Sequence, residues 1–128
     1  MTPLVFLGVA VGGGVGAALR FVLDGWVRAR ARSAFPDGFP VGTVLINVTG
    51  SALLGLVYGL AARHALGAGW ALALGAGVCG GYTTFSTASL ETVRLAADGR
   101  SAAALLNGLG TLVVSVLAAA AGLWLAAL

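Results

Sequence analysis

Gly80-Gly81-Tyr82-Thr83-Thr84-Phe85-Ser86-Thr87-Ala88-Ser89 lies inside an apolar segment, Trp70 to about Leu95, that otherwise reads as a membrane helix. Two adjacent glycines cost helix stability, and a Thr-Thr pair adds β-branched stiffness and hydroxyls that compete for the backbone. The expectation is a helix interrupted over residues 80–84. Interrupted backbone at bilayer depth is tolerated only where protein buries it or where it lines a watery or ion-binding cavity. Polar groups placed where they are expensive point to an ion site.

The rest of the chain suits that setting. Its 128 residues are 59% hydrophobic and 9% charged, with a mean hydropathy of +1.03. Twenty-one glycines against three prolines fit closely packed membrane helices better than a disordered chain. The length allows four spans of about 20 residues with short connections, but not a wide pore enclosed by one copy. The +3 charge comes from arginines alone, in loops and at helix ends, so it reads as membrane topology. A nucleic-acid binder would gather its charge in a patch on a polar surface, so no nucleic-acid partner is expected. A single cysteine, Cys79, leaves no internal disulfide. The first apolar segment lacks a basic leader and is expected to stay as a span.

In chain order, the expected spans are residues 4–23, 41–62, 70–95 and 101–128. Gly8, Gly12, Gly16 and Arg20 recur every four residues, a stripe that lets another helix approach closely. Gly12 to Ala17 also fits G-x-G-x-x-A, but a chain this apolar has no βαβ unit to carry a dinucleotide site. Residues 24–40 turn polar and are read as a loop with a Pro36-Asp37-Gly38 turn. In span two, Asn47, Ser51, Gly55 and Gly59 share one face, and an Asn there must meet protein or water. His64 has no second ligand nearby for metal or proton work. Glu91 and Arg94 are one turn apart and are expected to pair. In span four, Asn107, Thr111 and Ser115 form a polar track. One such hydroxyl satisfies itself on the helix backbone; an aligned set means more.

No nucleophile, base or carboxylate pair stands at catalytic spacing, so an enzyme is not expected. Asn amides, Ser and Thr hydroxyls, phenyl ring edges and Arg20 at one mouth favour an anion. Free carbonyls at the interruption suit a separately bound hard cation. A proton-coupled small multidrug exporter wants a membrane carboxylate on span one, and span one offers only Arg20.

Gly80 to Thr87, followed by Ser89-Leu90-Glu91, resembles the signature of the Fluc (CrcB-type) fluoride channels. Gly42-Thr43-Val44-Leu45-Ile46-Asn47-Val48-Thr49-Gly50 is similar to the family's second motif, and Gly16-Ala17-Ala18-Leu19-Arg20 to the end of its first helix. The resemblance covers essentially the whole chain. It implies an all-α membrane protein of four spans, the third broken, forming an antiparallel dual-topology dimer in the plasma membrane. It implies passive fluoride export through two narrow pores beside a structural sodium ion. Carried onto this sequence, the sodium-binding carbonyls belong to Gly80 and Thr83. Asn47 hydrogen-bonds fluoride, Phe85 offers a ring edge, and Thr111 and Ser115 line the exit. Arg20 sits near a vestibule and Glu91 close to a pore mouth.

Two positions depart from the family pattern: Ala88 where a second phenylalanine is usual, and Asn107 where a tyrosine is common. Losing one kind of ring impairs both pores of a homodimer, whereas a complete partner subunit rescues one. Arginine placement points the same way. Arg20, Arg28, Arg30, Arg32, Arg94 and Arg100 fall on one side and Arg63 alone on the other. A biased chain inserts mainly one way, with loops one and three in the cytoplasm. The expectation is pairing with an oppositely oriented homologous subunit, with a homodimer or a non-conducting structural partner as the alternatives.

Overall fold

The computed structural model describes residues 2–128, and every regular element among them is helical. Helix α1 spans Pro3–Ala31. Thr2 caps it, its hydroxyl accepting the Val5 N–H at 3.4 Å, and Pro3 sits in the first turn, where a missing N–H costs nothing. It runs on past Leu23, through the stretch expected to be loop. Asp24 and Arg28 pair at i,i+4 (2.9 Å), and Arg30 stacks 3.9 Å from the Trp26 ring centre. Polarity after Leu23 marks a change of surroundings, not a helix stop, since no breaker follows until Pro36. Gly38, at φ +73, makes the turn that returns the chain.

Helix α2 spans Val41–Ala62 and ends at a turn where His64, exposed, adopts φ +59. Helix α3 is composite: Ala68–Leu72, a π-helical stretch Ala73–Cys79, then Gly80–Tyr82. Between Ala68 and Ala97 the chain is extended only at Thr83 and Thr84, and helix α4 spans Phe85–Ala97. Helix α5 runs Ser101–Leu125, with a π-helical turn at Leu106–Gly110.

The interruption is narrower than residues 80–84, and the glycine pair does not cause it. Gly80 and Gly81 are helical, and a Cβ on Gly81 would strike the Gly13 backbone carbonyl of α1. Their neighbours Gly12 and Gly16 are buried the same way: a Cβ on Gly12 would lie 2.7 Å from the Ala73 carbonyl oxygen. Glycine here permits close approach of α1 and α3. That is also the fate of the Gly12–Ala17 run, which is helix throughout.

A second glycine contact joins α2 to α5. Gly55 faces the Ala119 carbonyl, and Gly122 in return faces the Ala52 carbonyl, so backbone meets backbone in both directions. Few side chains are fully enclosed; Ile46 is 1% exposed, whereas Leu4, Phe21, Trp70 and Trp124 all point outward. Apolar exposure on that scale fits lipid as the solvent. Three helices, Pro3–Ala31, Val41–Ala62 and Ser101–Leu125, are long and apolar enough to cross a membrane.

Cross-links fix which connections share an end. Arg100 donates to the Asp37 carbonyl at 2.5 Å and Arg28 pairs with Glu91 at 2.9 Å, which ties the first and third connections together. At the far end Arg63 donates to the Ala127 carbonyl at 2.7 Å, capping the end of the chain's last helix.

Candidate functional site

Thr84 makes the interruption. Its backbone is extended (φ −150, ψ 121), and its hydroxyl accepts the Thr87 N–H at 3.2 Å as the N-cap of α4. The Thr84 N–H donates to Asn47 Oδ1 at 2.8 Å, and the Asn47 Nδ2 donates to the Thr84 carbonyl at 2.9 Å. Asn47 thus grips both backbone groups of Thr84, as a neighbouring β-strand would, and keeps one N–H to spare. Diverting the Thr84 N–H deprives the Gly80 carbonyl of its i+4 donor. The Thr83 carbonyl instead accepts from Arg20 Nη1 at 3.3 Å, and the Thr83 hydroxyl bonds back to the Cys79 carbonyl at 2.9 Å. Tyr82 donates its phenol to Thr49 (3.0 Å), whose own proton goes to the Leu45 carbonyl at 2.7 Å.

Beside the interruption opens a groove of about 500 Å³ between α2, α4 and α5. It gathers Asn47, Thr83, Phe85, Thr111 and Ser115 from the residues singled out in the sequence, with Ala88 and Asn107. Phe85, at the first turn of α4, is 86% exposed, a large ring held out from the rest of the chain. Thr111 is 7% exposed, yet neither its hydroxyl nor that of Ser115 has a hydrogen-bond partner among the described residues. These hydroxyls do not bond back to their helix. An unpartnered buried polar atom costs about 1–3 kcal/mol, so a row of them calls for a ligand.

Asn107 heads that row and is 0% exposed. Its Nδ2 donates to the Ala88 carbonyl (3.2 Å) and to the Thr92 hydroxyl (2.8 Å), while its Oδ1 has no partner among the described residues. Thr92 was invisible as a site residue because its link to Asn107 crosses two helices. Thr84 was legible in principle, as a Thr three residues before a second Thr at a helix start.

Arg20, Gly80 and Glu91 stand outside the groove. Arg20 lines a smaller cavity of about 370 Å³ with Asp24, Thr43 and Thr87, across the interruption. Gly80 is exposed on α3. Glu91 lines a charged mouth of about 390 Å³ with Arg28, Arg32, Arg94 and Arg100. Its partner is Arg28, 63 residues away, and not Arg94 as the one-turn spacing suggested; its Oε2 remains unpartnered.

Apolar helices enclosing unpaired hydroxyls, with a charged mouth at one end, define a membrane protein built to pass a small polar solute or ion. Residues 7–123 match the family model described as "CrcB-like protein, Camphor Resistance (CrcB)". The chain is 56% identical over 128 residues to fluoride-specific ion channel FluC 1 of Leifsonia xyli subsp. xyli, covering 100% of this chain and 90% of that one. It is 42% identical over 126 residues to fluoride-specific ion channel FluC 2 of Mycobacterium tuberculosis, covering 98% and 94%. With fluoride-specific ion channel FluC of Novosphingobium aromaticivorans it shares 45% over 117 residues, 91% and 89% of the two chains. The chain belongs to the CrcB family, a family of ion channels and not of enzymes, and is a multi-pass protein of the plasma membrane.

Proposed function

We propose that the chain is a subunit of a fluoride-selective channel that exports cytoplasmic fluoride passively, through narrow pores in an antiparallel dimer. The observation that carries this reading is the pair of buried, unpartnered hydroxyls of Thr111 and Ser115 in the groove beside Phe85. Fluoride is small and strongly hydrated, so a pore must replace its water with closely placed donors. The Ser115 hydroxyl and the spare Asn47 N–H are two such donors, and the Thr111 hydroxyl keeps a third proton that it can give to the ion or to a water that carries it. Phe85 points away from its own subunit and would lend its ring edge across the dimer. α3 and α4 together count as the fourth crossing. Arg20 adds positive potential near one vestibule, and Glu91 with Arg28 borders a mouth.

The carbonyls of Gly80 and Thr83 would hold a structural sodium ion at the dimer centre. The Gly80 carbonyl suits it chemically, having lost the Thr84 N–H to Asn47, whereas the Thr83 carbonyl accepts from the Arg20 guanidinium and would have to exchange that cation for sodium. Neutral carbonyl oxygens are the ligands a hard monovalent cation takes.

Arginine bias favours a partner of opposite orientation. Arg28 and Arg100 join the end that holds the first and third connections, and Arg63 holds the other alone. A second reading, a non-conducting structural partner, draws on Ala88 and on the buried Asn107 beside it. Fluoride efflux from liposomes, read with a fluoride electrode against a chloride control, separates the readings. Selective efflux from this chain alone makes it a self-sufficient channel, and efflux only with an oppositely oriented homologue makes it half of a heterodimer. Silence in both leaves the structural partner.

A further inference from the structure

Asn107 and Asn47 are the two asparagines of the chain, both border the groove, and they present opposite chemistry to it. Asn47 keeps a free N–H, a donor. Asn107 spends both N–H groups within the protein, on the Ala88 carbonyl and the Thr92 hydroxyl. Its orientation is not interchangeable. The Thr92 hydroxyl gives its only proton to the Ala88 carbonyl at 2.8 Å, so both groups facing the amide are acceptors and the nitrogen must face them. Asn107 Oδ1 is therefore fixed as an unpartnered acceptor at the head of the hydroxyl row.

An acceptor lone pair repels an anion and needs a donor. Thr111 does not supply one directly, since its hydroxyl is itself without a partner. Asn107 and Thr111 lie four residues apart on the same groove wall, across the π-helical turn at Leu106–Gly110, and a water between them would give one proton to Asn107 Oδ1 and accept the Thr111 proton through two hydrogen bonds of about 2.8 Å.

We propose that Asn107 is not an anion ligand but the anchor of a bound water shared with Thr111, and that Thr92 is the positioning residue that fixes its acceptor toward that water. The hydration claim stands on the chain's own orphaned atoms. Its consequence rests on the fluoride-channel reading: fluoride passes this level with one water still attached, whereas beside Asn47 and Phe85 it meets protein donors. Ala88 carries the geometry, because its carbonyl is one of the two acceptors that turn the amide.

Selective 15N-asparagine labelling of the full chain in detergent micelles, with the homologous subunit added where the dimer requires it, yields just two side-chain amides. Sodium fluoride should shift the Asn47 amide and leave the Asn107 amide protons in place. In Thr92→Val an Asn107 amide proton should lose at least tenfold of its exchange protection, and Thr92→Ser should retain it. A water cross-peak to the Thr111 methyl group, assigned with Thr111→Ser, should vanish in Asn107→Leu. A fluoride-dependent shift at Asn107, unchanged protection in Thr92→Val, or no water cross-peak at Thr111 would each overturn the proposal. A still Asn47 amide, with no efflux, would instead sink the channel reading and leave the water site standing.

Discussion

The interruption and the polar row of α5 lie on the same groove but treat their polar groups in opposite ways. At the interruption Asn47 takes both backbone groups of Thr84, Thr87 takes the Thr84 hydroxyl, and Arg20 takes the Thr83 carbonyl. Along α5, Asn107 Oδ1 and the Thr111 and Ser115 hydroxyls are left without partners within the chain, though buried. A partnered cluster stabilises the fold it sits in; an unpartnered one weakens it and persists for something that binds. On the channel reading proposed above, the first region is the frame and the second the path.

The largest effect should come from breaking the frame. Asn47→Leu strips both backbone partners from Thr84 and should cost about 1–3 kcal/mol for each group left unpaired, seen as a lowered melting temperature in detergent. Next in size is a contrast between adjacent glycines. Gly81→Ala drives a methyl into the Gly13 carbonyl and should lose about 1–3 kcal/mol, while Gly80→Ala, whose Cβ meets nothing closer than 3.9 Å, should leave the melt almost unchanged. Equal effects at the two positions would put the α1–α3 contact in doubt. On the path, Ser115→Ala removes an unpartnered hydroxyl and little volume and should leave stability level or raise it by up to about 1 kcal/mol. A marked destabilisation there would mean that the hydroxyl is partnered after all. Smallest is Glu91→Gln at the mouth. It weakens a pair whose arginine is largely exposed, so the loss should stay under about 1 kcal/mol and shrink further in high salt.

The sequence made the helical, membrane character of the chain legible, because lipid leaves few alternatives to apolar helices. Positions within that plan were harder. Asp24 to Arg30 looked like loop since polarity and helix breaking were read as one signal, yet α1 continues to Ala31. Gly80 and Gly81 looked like breakers since propensity ranks them low, yet close packing on α1 holds Gly81 in the helix and Thr84 ends it by capping the next one. Propensity is a weak prior against tertiary contact. Spacing points Glu91 to its nearest basic neighbour, Arg94, whereas its partner Arg28 lies 63 residues distant, beyond any spacing rule. The polar track of Asn107, Thr111 and Ser115 could be seen as a row, but not that its hydroxyls forgo their own helix, nor that Thr92 turns the amide at its head.

The central claim is that the unpartnered hydroxyls of α5, together with the spare Asn47 N–H, carry the anion, while the rest of the interruption holds the frame. Fluoride efflux from liposomes tests it with the double variant Thr111→Val, Ser115→Ala, reconstituted alone and with an oppositely oriented homologue. Removing both hydroxyls from the path should slow fluoride at least about tenfold, the loss of about 1.4 kcal/mol at the barrier. Fluoride efflux equal to that of the natural chain, from protein shown to be folded, would contradict the account.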